Sequence, residues 1–162
     1  MSAELALEPA TAADAPLVLS LIQELASYER LAHEVRATVD DLRRTLFGAR
    51  PAAEVVLARW AQAPAGFALY FHNYSTFLGR PGIYLEDLFV RPDYRSRGIG
   101  RALLAHLAKL AVERGCGRLE WAVLDWNEAA IGFYARLGAE PQREWTTYRL
   151  AGLALASLAH QA

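Results

Sequence analysis

The sequence predicts a single α/β domain built on a mixed sheet with helices on both faces. Two strand-like stretches joined by a short turn come early, at 54–60 and 65–74, while those at 83–90 and 118–124 are separated by a long amphipathic helix. A glycine turn, Arg95-Ser96-Arg97-Gly98-Ile99-Gly100, lies between the apolar run 83–90 and that helix. The 162 residues hold no internal repeat, low-complexity linker or shift of composition, and the length suits one domain with a sizeable core.

Residues 3–8 open the chain as a strand. Thr11 and Asp14 then form a capping-box pattern, and Val18, Leu21, Ile22 and Leu25 mark one helical face. Thr38 and Asp41 repeat the capping logic for a helix over 38–47. The two early strands turn around 61–64, and Gly79-Arg80-Pro81-Gly82 turns the chain into the strand 83–90. The long helix runs to about Arg114, followed by a strand at 118–124, a helix at 128–137 and a last strand at 146–150. The Leu- and Ala-rich tail, 150–158, reads as a terminal helix packed on the domain or on a second subunit, too short to span a membrane.

A net charge of −1 argues against a nucleic-acid partner, because such proteins carry a large basic excess. No run of apolar residues is long enough for a membrane span, and Met1-Ser2-Ala3-Glu4 has none of the features of a signal peptide. One cysteine, Cys116, excludes an intrachain disulfide and fits a reducing, cytoplasmic setting; between Gly115 and Gly117 it reads as a small turn residue. His33, His72, His106 and His160 show no ligand spacing, so no metal site is expected.

The glycine turn is where chemistry is expected. A helix start leaves backbone N–H groups unpaired and carries partial positive charge, and Gly98 and Gly100 let an anion approach the backbone. Arg95, Arg97 and Arg101 add charge; taken alone, the string could equally be a surface turn with solvated arginines. Its placement between strand and helix favours phosphate binding. A Walker A loop would need Gly-Lys-Ser/Thr, but Gly100 is followed by Arg101 and Ala102; a dinucleotide fingerprint would need glycine at 103, which is Leu103.

The turn resembles the acyl-CoA pyrophosphate loop of the GNAT N-acetyltransferases. Asn127, Ala130, Tyr134 and Gly138 match a second signature of that superfamily. More narrowly, Pro9-Ala10-Thr11-Ala12-Ala13-Asp14, Tyr28-Glu29, Tyr84-Leu85-Glu86-Asp87 and Trp126-Asn127-Glu128 are similar to the spermidine/spermine N-acetyltransferase group. Tyr74-Ser75-Thr76, Gly79-Arg80 and the run from Ala122 to Asn127 bring the chain closer to its thialysine N-acetyltransferase branch. The resemblance covers the chain up to about Trp145. It implies the GNAT fold, with a mixed, mostly antiparallel central sheet, acetyl-CoA as cosubstrate, direct acetyl transfer to a small-molecule amine, and a homodimer. Arg95, Ser96, Arg97, Gly98, Ile99, Gly100 and Arg101 would hold the pyrophosphate, and Asn127 and Ala130 would contact the pantetheine arm.

Amine acetylation sets demands that residues can meet. An alkylamine with a pKa near ~10 is almost wholly ammonium at neutral pH and must lose a proton before it attacks a thioester. Glu86 is the candidate base, through a water, as the resemblance implies. Glu86 and Asp87 interrupt an apolar strand, where unpartnered carboxylates are costly, so structural pairing is the competing explanation. Adjacent strand residues face opposite sides, and only a bulge would let both serve one substrate. Backbone groups of Leu88, Phe89 and Val90, where the strand leaves its neighbour, suit polarisation of the carbonyl.

By resemblance, Tyr134 protonates the leaving thiolate. Its helical spacing with Ile131 and Leu137 reads equally as core packing, as Asn127 reads equally as an N-cap. Trp126 could be core or wall the cofactor channel. Tyr28, Glu29, Asp87 and Glu144 are the acceptor-site candidates, with an ordinary helix end as the alternative for the first two. Ser75 and Phe77 stand where the polyamine pattern has an acid and a tryptophan, which favours a lysine-like amino acid or diamine over spermidine and spermine. A non-catalytic acyl-CoA sensor is the rival reading; it would need neither Glu86 nor Tyr134.

Overall fold

The early hairpin is the centre of the sheet. Strand β2 (Glu54–Trp60) and strand β3 (Ala63–Ser75) pair antiparallel through a two-residue loop, Ala61 and Gln62, both at left-handed φ (46° and 71°), as a primed hairpin turn requires. Strand β1 (Leu5–Pro9) adds to β2, and β4 (Arg80–Val90) adds to β3, both antiparallel; β5 (Leu119–Trp121) then runs parallel to β4. The order is β1-β2-β3-β4-β5, a mixed and mostly antiparallel α/β sheet. This computed structural model describes residues 4–161, so the expected strand start at Ala3 lies outside the described residues. The described chain falls into two compact units, one ending at Leu124 and one beginning at Asp125.

Both faces of the sheet in the first unit are covered. Helix α1 (Ala15–Tyr28) and helix α2 (Val39–Leu46) bury Val18, Leu21, Leu25, Leu42 and Leu46 against Val55, Leu57, Phe67 and Phe89. Helix α3 (Ile99–Glu113) packs on the opposite face, burying Ile99, Leu103, Leu104, Leu107 and Ala111 over the alternate strand residues. Both expected capping boxes form. The Asp14 carboxylate accepts from the Thr11 amide (2.8 Å), and Asp41 and Thr38 exchange bonds at 3.0 and 3.1 Å.

Helix α1 ends with Glu29 and then Arg30 at φ 62°, so that the Leu31 amide returns to Ala26 (2.8 Å) and the Arg30 amide to Ser27 (3.1 Å). This is a Schellman closure with arginine where glycine is usual. Helix α3 closes the same way through Gly115 (φ 70°), with the half-buried Cys116 donating its amide to Ala111 (2.8 Å).

The second unit holds α4 (Glu128–Arg136) and α5 (Gly152–Ala159). Neither helix buries a residue within this chain, and α5 forms where a terminal helix was expected.

Three expectations need correction. The strand expected at 118–124 is confined to Leu119–Trp121, because β4 leaves it after three paired positions. The segment 79–82 is not a turn throughout: Arg80, Pro81 and Gly82 already pair with Ser75, Tyr74 and Asn73, leaving the reversal to Thr76, Phe77, Leu78 and Gly79. Residues 146–150 form no strand and are exposed; a segment this short needs a neighbouring edge to hold it, and it pairs with none among the described residues.

Candidate active site

Strand β4 carries one residue too many for its partner. Leu85 lies opposite Tyr70 and Asp87 opposite Leu69, so Glu86 has no rung of its own and forms a bulge. Upstream of it, Tyr84 shares a face with Phe71, their rings 5.3 Å apart; downstream, Phe89 shares the α1 face with Phe67. The bulge therefore puts Asp87 on the α1 side, as the pairing with Leu69 requires, and leaves Glu86 exposed. The bulge thus interrupts the strict alternation at these two acids.

Asp87 is half-buried, and its carboxyl is pushed up to about 6. Burial is the main cause, followed by the negative charges of Glu86 and then Glu29. Glu29, the residue that ends α1, is raised as well, by burial. No arginine or lysine is among the causes acting on Asp87, so nothing there supports the structural pairing that is the competing explanation for it. Acids gathered in this way suit a cationic guest.

The same stretch of β4 is where the sheet opens. Pairing with β5 ends at Leu85 and Trp121, so one edge of Leu88, Phe89 and Val90 faces no strand while the other stays paired with Ala68, Phe67 and Gly66. Among these three residues Phe89 is buried. The glycine turn abuts this opening: a Cβ placed on Gly100 would have only Val90 Cγ2, at 3.9 Å, near it. Gly98 is the N-cap of α3 at φ 77° and Ser96 also takes a left-handed φ of 61°.

The first backbone bond of α3 runs from the Ala102 amide to the Gly98 carbonyl (2.9 Å), so the amides of Ile99, Gly100 and Arg101 precede it and find no acceptor among the described residues. Nothing in the protein's own packing asks for glycine at 100, whereas an anion seated on these amides would.

The arginines are less free than the sequence suggested. Arg91 holds Glu24 through two bonds (2.7 and 2.9 Å) and donates to the Pro64 carbonyl (3.0 Å), which keeps the Glu24 carboxyl below its ordinary range. Arg95 donates Nε to the Val90 carbonyl (3.0 Å) and lies over the rings of Tyr28 (4.8 Å) and Phe89 (5.9 Å). Arg97 lies over Trp60 (5.2 Å) and Tyr94 (5.9 Å). Composition treated these as charges gathered for an anion; the ring contacts escaped it because Tyr28 and Trp60 are distant in sequence. The one visible signal was spacing, since Glu24 and Tyr28 are four apart on one helix face, as Arg91 and Arg95 are in the turn.

In the second unit, Asn127 caps α4 by accepting from the Ala130 amide (3.3 Å), and Gly138, at φ 83°, closes it with the Ala139 amide returning to Tyr134 (3.2 Å). Two of the four signature residues thus have a complete local reason. Tyr134 is half-buried with its ring 5.5 Å from that of Phe133, while Ile131 and Leu137 are partly exposed. Trp126 is exposed, and so is Glu144, in irregular chain.

A separate cavity of about 260 Å³, lined by Pro51, Ala52, Ala53, Glu54, Phe71 and His72, is of another kind. Its acid, Glu54, is held by Arg114 (2.6 and 2.9 Å) at the far end of α3, about 20 Å along the helix from the glycine turn. No cluster of His, Cys, Asp and Glu among the described residues could hold a metal ion, and no described helix is long and apolar enough to cross a membrane.

An opened β4 edge beside a helix start with unpaired amides, with acids at the bulge, is in keeping with the GNAT class that the sequence resembles. Residues 19–139 match the acetyltransferase (GNAT) family, and the chain belongs to it. It is 40% identical to a thialysine N-epsilon-acetyltransferase of Bos taurus, over 88% of this chain and 89% of that protein. It is also 36% identical to an L-ornithine N5-acetyltransferase of Arabidopsis thaliana, over 92% and 85%. An integron cassette protein from the mobile metagenome of V. cholerae superposes with a TM-score of 0.82, 28% identical, covering 98% of this chain and 99% of that one. The protein is a GNAT N-acetyltransferase, and a non-catalytic sensor is set aside.

Proposed function

We propose that the chain works as one acetyltransferase domain that moves the acetyl group of acetyl-CoA directly to a primary amine on a small, lysine- or ornithine-like amino acid or diamine. The observation that carries this reading is the group of Glu29, Glu86 and Asp87 beside the opened edge of β4, with Asp87 raised by burial and by the charges of the other two, and Glu29 raised by burial. An ammonium group entering there relieves both repulsion and desolvation. The relatives named for thialysine and ornithine support the same acceptor class.

Each residue then has a task. Asp87 and Glu29 receive the ammonium, with Tyr28 beside them and Glu144 a further acceptor-site acid. Glu86, exposed on its bulge, takes the proton through a water. The free edge of Leu88, Phe89 and Val90 offers backbone groups to the acyl carbonyl and its carrier. The amides of Ile99, Gly100 and Arg101, together with Ser96, Gly98 and the arginine charge of the turn, fit a pyrophosphate; acetyl-CoA, when bound, supplies the activated acetyl group. Asn127 and Ala130 would hold its pantetheine arm, and Tyr134 would give its phenolic proton to the departing sulfur. Direct transfer is favoured because the only thiol, Cys116, sits at the opposite end of α3, about 20 Å from the turn.

Specificity follows from length. Ser75 is buried and its hydroxyl accepts from the Leu78 amide (3.2 Å), while Phe77 is fully exposed in the hairpin turn. Six residues of β4 separate that turn from Glu86, about 20 Å of strand. An acid at those positions would anchor only the distant end of a long amine, so its loss bears on polyamines and not on amino acids. A homodimer and a cytoplasmic setting belong to the same proposal. The dimer is supported by the resemblance and by exposed Trp145, Tyr148 and Leu153, the location by the single cysteine. An amine panel assayed for CoA thiol release tests the reading. It should rank an ornithine- or lysine-type acceptor first; a higher kcat/KM for spermine than for every small amine would overturn the specificity.

A further inference from the structure

We infer that Arg95 is a positioning residue for the amine acceptor, not a ligand of the cofactor phosphates, and that it ties the two half-sites of the enzyme together. The inference rests on the acetyltransferase reading above. Its basis is where the guanidinium is already committed. Nε is bonded to the Val90 carbonyl, the last residue of the opened β4 edge, at 3.0 Å. The plane lies 4.8 Å from the centroid of Tyr28 and 5.9 Å from that of Phe89. Tyr28 is the last residue of α1 and is followed by Glu29, one of the three acids.

The neighbouring contact makes this a two-point grip. One turn earlier in α1, Glu24 is held by both Nε and Nη2 of Arg91. Glu24 and Tyr28 stack one above the other on a helix face, and Arg91 and Arg95 meet them in the same order. The end of α1 is thus fixed at two levels by the segment that leads into the glycine turn. Arg30, at φ 62°, follows at once, so the chain reverses just after Glu29, and the grip determines where that carboxylate points. A guanidinium suits the task because it is planar, stacks, and still has donors at its rim; an ammonium offers a point charge without the plane.

The test separates positioning from phosphate binding by changing the donor. Steady-state kinetics are measured with acetyl-CoA and with S-acetyl-pantetheine, which lacks the pyrophosphate and nucleotide, for wild type, Arg95→Met, Arg95→Gln, Arg95→Lys and Tyr28→Leu. Arg95→Met should lower kcat/KM for the amine about tenfold or more with both donors, chiefly through the amine KM. Arg95→Gln keeps a planar donor without charge and should recover most of that loss, whereas Arg95→Lys should not.

Tyr28→Leu alone should reproduce the amine defect, and the double variant Arg95→Met/Tyr28→Leu should be no worse than about twofold beyond either single one, since both break one contact. A defect seen with acetyl-CoA and absent with S-acetyl-pantetheine overturns the inference, as do rescue by Lys but not Gln, or losses that multiply in the double variant. Wild type that releases no CoA with any amine refutes the acetyltransferase reading itself; active wild type with unaffected Arg95→Met refutes only this inference.

Discussion

Asp87→Asn should make the enzyme more stable and less active, with the gain appearing only above a definite pH. The carboxyl ionises near 6 in the folded protein against an ordinary 3.8. A carboxyl raised in this way keeps its proton in the folded state to higher pH than in the unfolded chain. Between about pH 4 and 6 the folded state therefore binds more protons, and stability falls as pH rises through that window. Each pKa unit is worth about 1.4 kcal/mol, so the ionised carboxylate costs the folded state at most about 3 kcal/mol at pH 8 and nothing below pH 4. Asparagine keeps the shape without the charge.

Urea denaturation followed by circular dichroism should show the variant up to about 3 kcal/mol more stable than wild type at pH 8 and equal to it at pH 4. Lysine or ornithine added at pH 8 should stabilise wild type more than the variant, because the bound ammonium removes a cost that the variant never had. A stability difference that is the same at both pH values, or a variant that is less stable at pH 8, would refute the assignment of Asp87 as an unpaired buried acid.

Gly100→Ala should raise the melting temperature by about 2–4 °C, since alanine is about 1 kcal/mol better in a helix and the new methyl meets only Val90 Cγ2 at 3.9 Å. Calorimetry should show that the same variant binds acetyl-CoA at least about tenfold more weakly if the anion approaches this backbone. Glu86→Gln should lower turnover most at low pH, where little free amine exists; a uniform loss across a pH profile would argue against a base. Tyr134→Phe removes one oxygen and should cut kcat more than about tenfold with little change in acetyl-CoA affinity; unchanged kcat with chemistry rate-limiting would make it a packing residue. Light scattering should find a dimer in the micromolar range, and a monomer throughout would reject the proposed assembly.

Local grammar made much of the fold readable. Both capping boxes, β2 to the residue and the helix after the glycine turn follow from signals carried within a few positions. What could not be read depends on a partner. The lengths of β5 and of any strand at 146–150 are decided by which neighbour they meet, and alternation in the sequence is silent on that. In the site, Glu86 and Asp87 were legible as acids out of place in an apolar strand, and Glu29 only through the resemblance. The roles of Arg95 and Arg97 were not, because a stack on Tyr28 or Trp60 is created by the fold alone. The Asn127 to Gly138 signature shows the reverse hazard: two of its residues would be required by the helix ends whatever the chemistry.

The bulge at Glu86 has a consequence for how this enzyme can be dismantled. Removing that codon would leave Leu85 followed directly by Asp87, and these two already sit opposite consecutive residues, Tyr70 and Leu69, of the neighbouring strand. The shortened strand would run in phase from end to end, with Phe89 still beside Phe67 and Leu85 still beside Tyr70. Glu86 is thus a guest in the ladder, and a one-residue deletion would give a sheet more regular than the native one, without the residue proposed as its base. On that proposal, the chemistry is a single step of frame, added to a ladder that pairs without it.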